Sequence, residues 1–320
     1  MEIRTPKILI VGATGRTGSA TIAALASAPN RPAILALTRS PSSPKSQNLL
    51  KLFPEYSSSP PSSSSPPITL VQGTPENPAP ILASHPDITA IYLVTVPPAD
   101  EAQAIPFIDA AISHKIPHIV FSSVDRGGDE RSWVNPTSVP HFAAKHRVEI
   151  YLRDTTRGTA TAWTILRPTG FMDNYHASAG ALGAVMGGLW ATMPAGLGGR
   201  KMQLVSARDI GLFAARALMD GPDGEWGGRA LGLAGDEIGF AEAAEVFERV
   251  VGQRMPRTWG VVGRAVRWAF EDAGKSMEWF EEEGYKADVE KLRGMEPRLQ
   301  SWDAWLRESS GWVKGDEEAM

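Results

Sequence analysis

The residues with the clearest chemical meaning form the loop GATGRTG at 12–18. Its glycines, Gly12, Gly15 and Gly18, are evenly spaced. An apolar run, KILIV at 7–11, precedes them, and a stretch of helical periodicity, RTGSATIAALASA at 16–28, follows. That order of strand, glycine loop and helix suits a dinucleotide pyrophosphate. Gly12 permits the tight turn, Gly15 lets the backbone approach the phosphates, and Gly18 lets the helix pack close to the sheet. The helix start adds N–H donors and the positive end of its dipole. Thr14, Arg16 and Thr17 are therefore candidate cofactor contacts alongside the glycines. The loop lacks the Gly-Lys-Ser/Thr ending of a nucleoside-triphosphate site. About 20 residues beyond such a loop an NAD site places an acid on the ribose 2′-hydroxyl. Here the second strand ends LALTRS, with Arg39 in that place and Lys45 close behind. A guanidinium holds a 2′-phosphate bidentately where a carboxylate would repel it. NADP(H) is therefore the expected cofactor.

The loop needs a sheet to stand on, and the first half of the chain supplies one. AILAL (33–37), ITLVQ (68–72), ITAIYLVTV (88–96), HIVFSS (118–123) and TAWTILRP (161–168) join KILIV as predicted strands. They are apolar nearly throughout, as strands buried on both faces are. ADEAQAIPFIDAAISH (99–114) and PHFAAKHRVEIYLRDT (140–155) have helical spacing and lie between them. Alternating strands and helices predict an α/β fold with a doubly wound parallel sheet. The Ser/Pro-rich stretch 40–67 interrupts this pattern. It reads as a surface loop, mobile over 57–67, with one or two helical turns at NLLKLF. Further on, SAGALGAVMGGLWATMPAGLGG (178–199) reads as a helix and a flexible loop. KMQLVSARDIGLFAARALMD (201–220) reads as a strand entering a helix capped by Ser206. The tryptophan-rich tail, 257–313, reads as amphipathic helices packed on the body.

Composition narrows the function classes. The chain has 320 residues, 42% of them hydrophobic and 21% charged, with a formal net charge of −4. That balance predicts a globular protein and argues against a nucleic-acid surface. No apolar run is long enough for a membrane span, and the N-terminus enters a strand at once, without a leader. Cysteine is absent, which excludes disulfides, thiolate metal sites and cysteine nucleophiles. No metal is expected, and a cytoplasmic setting is.

Taken together, these segments resemble the NmrA-like family of atypical short-chain dehydrogenases, in its fungal form. The resemblance is carried by GATGRTG, HFAAKHRVEIYLR (141–153), TILRPTGFMDN (164–174), VSARDIG (205–211) and the tail WFEEEGYKADVEKLRGMEPRLQSWDAWL (279–306). It implies a Rossmann-type domain over 1–170 and a smaller C-terminal α/β lobe over 171–320, with some segments returning to the sheet. It also implies a lysine that holds the nicotinamide ribose, here Lys145, and a tyrosine four residues earlier, whose place His141 takes. His141 could donate a proton in its stead, since imidazole titrates near neutrality. Tyr92, Tyr151 and Tyr175 are alternatives, and Tyr175 lies beside the segment expected to pass the nicotinamide. Ser122 and Ser123 occupy the usual position of a catalytic serine, with Ser123 the candidate. Thr95 and Pro168, at the ends of the fourth and sixth strands, join the candidate cofactor contacts. Thr74 stands where relatives carry an aspartate toward the adenine.

Two functions follow from the resemblance. One is an NADPH-dependent reductase of a small, largely apolar carbonyl, imine or activated alkene, with 178–199 closing an adaptable pocket. The other is a redox-sensing regulator that binds NADP(H) and meets a protein partner without catalysis. The missing tyrosine favours the second, and the apolar pocket segment favours the first.

Overall fold

The structure, a computed structural model, describes residues 5–53, 68–193, 201–259, 268–269 and 271–313. The expected mobile loop at 57–67 and the end of the 178–199 segment lie outside the described residues. The chain forms two compact units.

The first unit comprises residues 1–123, 144–167 and 210–231. Its core is a seven-stranded sheet in the order β3-β2-β1-β4-β5-β6-β9. The strands are β1 (Lys7–Ile10), β2 (Ala33–Thr38), β3 (Ile68–Gln72), β4 (Ala90–Val94), β5 (His118–Ser122), β6 (Ala162–Pro168) and β9 (Arg229–Leu233). The pairings of β1 through β6 are all parallel. Ile8, Leu9, Ile10, Val120 and Phe121 are fully enclosed or nearly so. Helices cover both faces of such a sheet, which is why its strands read as unbroken apolar runs. The strand order reverses between β1 and β4, and in open α/β sheets ligands bind outside the carboxyl ends of the strands at such a point. The helix Arg16–Ala26 leaves the sheet there, at the glycine loop.

Six of these strands match the sequence reading to within a residue or two at most ends. The helices Asp100–Ser113 and Pro140–Thr155 match it as well. The helix after β2 begins earlier than NLLKLF suggested. It spans Pro44–Lys51, with Ser43 as N-cap and Pro44 in its first turn. Proline is preorganised for that position, and the serine accepts an otherwise unpaired N–H.

The second unit comprises residues 124–143, 168–209 and 232–320. A small sheet, β10-β8-β7, is built from β7 (Gly170–Phe171), β8 (Met202–Val205) and β10 (Asp236–Ile238). Ser206 caps the helix after β8, accepting the Asp209 N–H at 3.1 Å. Tail helices Glu271–Glu282, Val289–Met295 and Trp302–Glu308 complete the unit. Trp302 and Trp305 are fully buried and stacked at 5.1 Å. Trp259 and Trp268 do not join them and stand exposed. Among the described residues no helix is long and apolar enough to cross a membrane.

One buried histidine gives the first unit a pH dependence. His118 is fully enclosed, with Nε2 2.8 Å from the Thr164 hydroxyl. Thr164 spends its own hydrogen on the Trp226 carbonyl, so Nε2 is the donor and the neutral tautomer is fixed. Nδ1 is buried with no partner. A second proton would sit there without an acceptor, and burial lowers the pKa to about 4. The unfolded chain binds that proton from about pH 6.5 downward, so the contribution is intact above that pH. It is lost progressively as the pH falls to about 4, at a cost of about 3 kcal/mol. Urea titrations should show this decline beginning above the carboxylate range, and His118→Gln should flatten it between about pH 6.5 and 5. An unchanged slope in the variant would count against His118 as its source.

Candidate functional site

The glycine loop is built by close approach. Gly12 has φ +79°, a left-handed backbone that side chains rarely adopt. The Gly15 N–H donates to the Gly12 carbonyl at 2.9 Å, closing the turn. A Cβ at Gly18 would run into that same carbonyl oxygen and lie 2.9 Å from the Ala13 Cα. The helix therefore sits on the turn with no room for a side chain. Its N-cap, Gly15, provides no side-chain cap, so the first-turn N–H groups face outward for a ligand. Gly15 and Arg16 are exposed and Thr14 is half-buried. Thr17 is buried, which leaves its backbone N–H as the group it can offer.

Arg39 stands exposed at the end of β2, and Lys45 stands exposed in the first turn of the next helix. The turn between them is braced by hydroxyls: Ser46 lies 2.8 Å from Thr38 and 2.9 Å from Ser43. The sequence reading found no acid after β2, but the loop after β3 brings one. The Glu76 carboxyl is held below its usual range, first by its own backbone N–H, then by Thr74 and Gln103, and by the charge of Arg39. Thr74 thus serves Glu76.

Lys145 sits deep in the first unit. Its ammonium donates to the Thr95 hydroxyl at 3.0 Å and to the Ser122 carbonyl at 3.1 Å. It lies 3.3 Å from a carboxylate oxygen of Asp100. Thr95 in turn donates to Asp100 at 2.5 Å. One helical turn after Lys145, Glu149 forms a fully buried ion pair with Arg167 at 2.8 Å. Ser123 gives its hydroxyl hydrogen to the same Glu149. That hydrogen is spent within the protein.

In the second unit, His141 Nδ1 lies 3.0 Å from Asp272. The Pro168 carbonyl accepts the Asp125 N–H at 3.0 Å. Tyr175 is buried, with Trp190 and Trp302 each 5.5 Å from its ring. Burial pushes its phenol well above the ordinary tyrosine range. The ring lines a small, partly open apolar pocket of about 30 Å³ with Phe247, Met255 and Trp312. The Trp312 indole donates to the Tyr175 carbonyl at 2.8 Å. The helix Gly180–Ala191 supplies Gly180 and Gly183 to the pocket wall. It continues through Gly187, where a Cβ would lie 2.5 Å from the Pro256 carbonyl, and Gly188, where it would meet the Thr258 hydroxyl.

The alternative phenols fall away on geometry. Tyr92 is wholly enclosed in β4, and Tyr151 donates to Asp109 at 2.6 Å on an exposed surface. Sequence reasoning missed Tyr285. Burial, then the charges of Asp125 and Tyr175, raise its pKa. Its turn is pinned where the Lys286 N–H donates to Asp125 at 3.0 Å. The only sign of it in the sequence was its place within the tail motif EGYKAD.

Removing one member of a buried ion pair strands the other. Glu149→Ala should therefore lower unfolding free energy by about 3–5 kcal/mol, read by chemical denaturation. A loss below about 1 kcal/mol would place the pair among weak, solvated bridges.

Comparison with known proteins adds the following. The NmrA-like family matches residues 4–300 of this chain. No protein of curated function matches it by sequence. Among solved structures, NmrA, a negative transcriptional regulator in complex with NADP, is similar at 18% identity and TM-score 0.66, covering 98% of this chain and 97% of that one. An NADPH-dependent quinone oxidoreductase of Escherichia coli, complexed with NADPH, is 19% identical with TM-score 0.68, covering 93% and 98%. A triphenylmethane reductase of Citrobacter sp. is 16% identical with TM-score 0.66, covering 95% and 99%. These likenesses are of fold. The family match spans nearly the whole described chain, and with the parallel sheet and glycine loop above, it makes this protein a member of the NmrA-like family.

Proposed function

We propose that this protein is an NADP(H)-dependent oxidoreductase that reduces a small, largely apolar carbonyl, imine or activated alkene. The observation that carries the reading is the glycine cradle. A helix start without a side-chain cap rests on a turn that excludes any Cβ at Gly18, and this is a fitting seat for a pyrophosphate. Arg39 and Lys45 fit the 2′-phosphate of the phosphorylated cofactor, and relatives of the same fold bind NADP or NADPH. A bound nicotinamide supplies hydride; the protein supplies position, dryness and a proton. Lys145 is the group for the ribose. The Tyr175 phenol is protonated at neutral pH as any tyrosine is, and burial disfavours its anion further, making it a weaker acid than a free phenol. It is thus kept as a hydrogen-bond donor, and as a proton source for an alkoxide, within an apolar pocket.

A second reading is a regulator that binds NADP(H) and engages a protein partner. It is favoured by His141, which replaces the usual phenol and is tied to Asp272 at 3.0 Å. NADPH consumption across a panel of enones, quinones, imines and aldehydes separates the two. Turnover with any member supports the reductase. Tight NADPH binding with no turnover, and a partner captured in only one redox state, supports the regulator.

Two substitutions sharpen the assignment. Arg39→Ala should erase most of a preference for NADPH over NADH, a change of roughly tenfold to a hundredfold in relative affinity by calorimetry. Equal affinities in the parent would refute the 2′-phosphate role. Lys145→Ala should lower kcat by about 10²-fold or more while weakening cofactor binding less, because the lysine orients as well as grips. A purely proportional loss of affinity would reduce Lys145 to a binding group.

A further inference from the structure

We propose that Asp100 is the positioning residue for Lys145: through Thr95 and directly, its carboxylate holds the buried ammonium charged and aimed. The inference deepens the reading of Lys145 above, but the ion pair itself is independent of that reading.

Asp100 opens the helix Asp100–Ser113. Acids are common in the first turn of a helix, where they meet its dipole. That ordinary role suits a solvated side chain, and the next residue fills it: Glu101 is exposed and pairs with Arg147 at 2.6 Å. Asp100 differs in three respects. Its side chain is fully enclosed. Its Oδ1 accepts from the Thr95 hydroxyl at 2.5 Å and not from a helix N–H. Its Oδ2 is buried and makes no hydrogen bond. A buried carboxylate with unfilled lone pairs is a poor structural element unless its charge is matched. The match is Lys145 Nζ, 3.3 Å from Oδ1.

The hydrogen-bond direction is forced. An ammonium has no lone pair, so Lys145 must donate to Thr95, and Thr95 must donate onward to Asp100. The chain of bonds runs one way and ends on the negative charge. On its other sides the ammonium meets the Ser122 carbonyl at 3.1 Å and the Phe121 ring, with the centroid 5.3 Å away. Those groups attract a cation but leave its charge uncancelled. A neutral side chain at position 100 would keep the shape and remove that negative charge from beside the ammonium.

The test needs neither cofactor nor substrate. The folded full chain is treated briefly with a limiting acetylating reagent at a series of mildly alkaline pH values. The rate at Lys145, relative to the exposed Lys51 and Lys115, is read by peptide mass spectrometry. Only the neutral amine reacts. Asp100→Asn, near-isosteric, should raise the relative rate at Lys145 about tenfold or more, as loss of a close opposite charge requires. Thr95→Val, which leaves the carboxylate in place, should raise it by a smaller factor of about threefold. Loosening of the fold would raise the ratio too, because Lys51 and Lys115 are already exposed. Each variant is therefore matched to the parent in unfolding midpoint, and the rate is followed across pH, where a lost charge moves the midpoint of the Lys145 profile and greater access only scales it. A folded Asp100→Asn protein with a ratio within about twofold of the parent overturns the proposal. If that variant fails to fold, an unchanged ratio in Thr95→Val does the same. Adding NADPH tests the other reading. If NADPH fails to shield Lys145 while Asp100→Asn still exposes it, the cofactor role of Lys145 falls and the role of Asp100 stands.

Discussion

The placement of the candidate chemistry rests on the buried ion pair between Glu149 and Arg167. Glu149 lies four residues after Lys145 on one helix, so both side chains face the sheet together. Arg167 comes from β6. The pair contributes little net stability, because desolvating two charges offsets most of their attraction. What it contributes is register. The helix cannot slide or rotate along the sheet without baring a charge in an apolar interior, and the backbone of Lys145 is held in that register. Ser123, at the end of β5, is fastened to the same carboxylate. A residue expected to meet substrate is thereby enlisted to hold the frame.

The frame itself was largely legible in the sequence. Strands buried on both faces read as apolar runs, and a glycine loop between strand and helix has few other meanings. Some missed elements have weak local signals, although the clearly amphipathic helix Phe240–Val251 was passed over as well. β9 is the five-residue segment RALGL, and β7 is only two residues long. Both are held by their neighbours and have little periodicity to show.

The site was less legible, for the same physical reason throughout: its decisive contacts join residues far apart in the chain. Lys145 was found through the family resemblance, but Asp100 resembled any acid in a first helical turn, and only its burial and its contacts in the fold set it apart from Glu101. Glu76 reaches the neighbourhood of Arg39 from a different loop. Tyr285 comes from the tail, more than a hundred residues after Tyr175, and is placed by a turn pinned to Asp125. His141 could be read as a proton donor from its type and position, yet its partner, Asp272, lies 131 positions further on.

The helix Gly180–Ala191 carries one more implication. It contains four glycines in its twelve residues, GALGAVMGGLWA; Gly180 opens it at φ +54°, a backbone that favours glycine, and each of the other three costs about 0.5–1 kcal/mol of helical stability relative to alanine. Gly187 and Gly188 are explained by the close backbone packing of Pro256 and Thr258. Those contacts and the Thr258 N–H bond to Ala184 at 2.8 Å are what keep the segment wound. A segment with so little intrinsic preference takes its stability from tertiary packing. One wall of the pocket therefore keeps its shape through tertiary packing, Trp190 included, and not through its own helical preference.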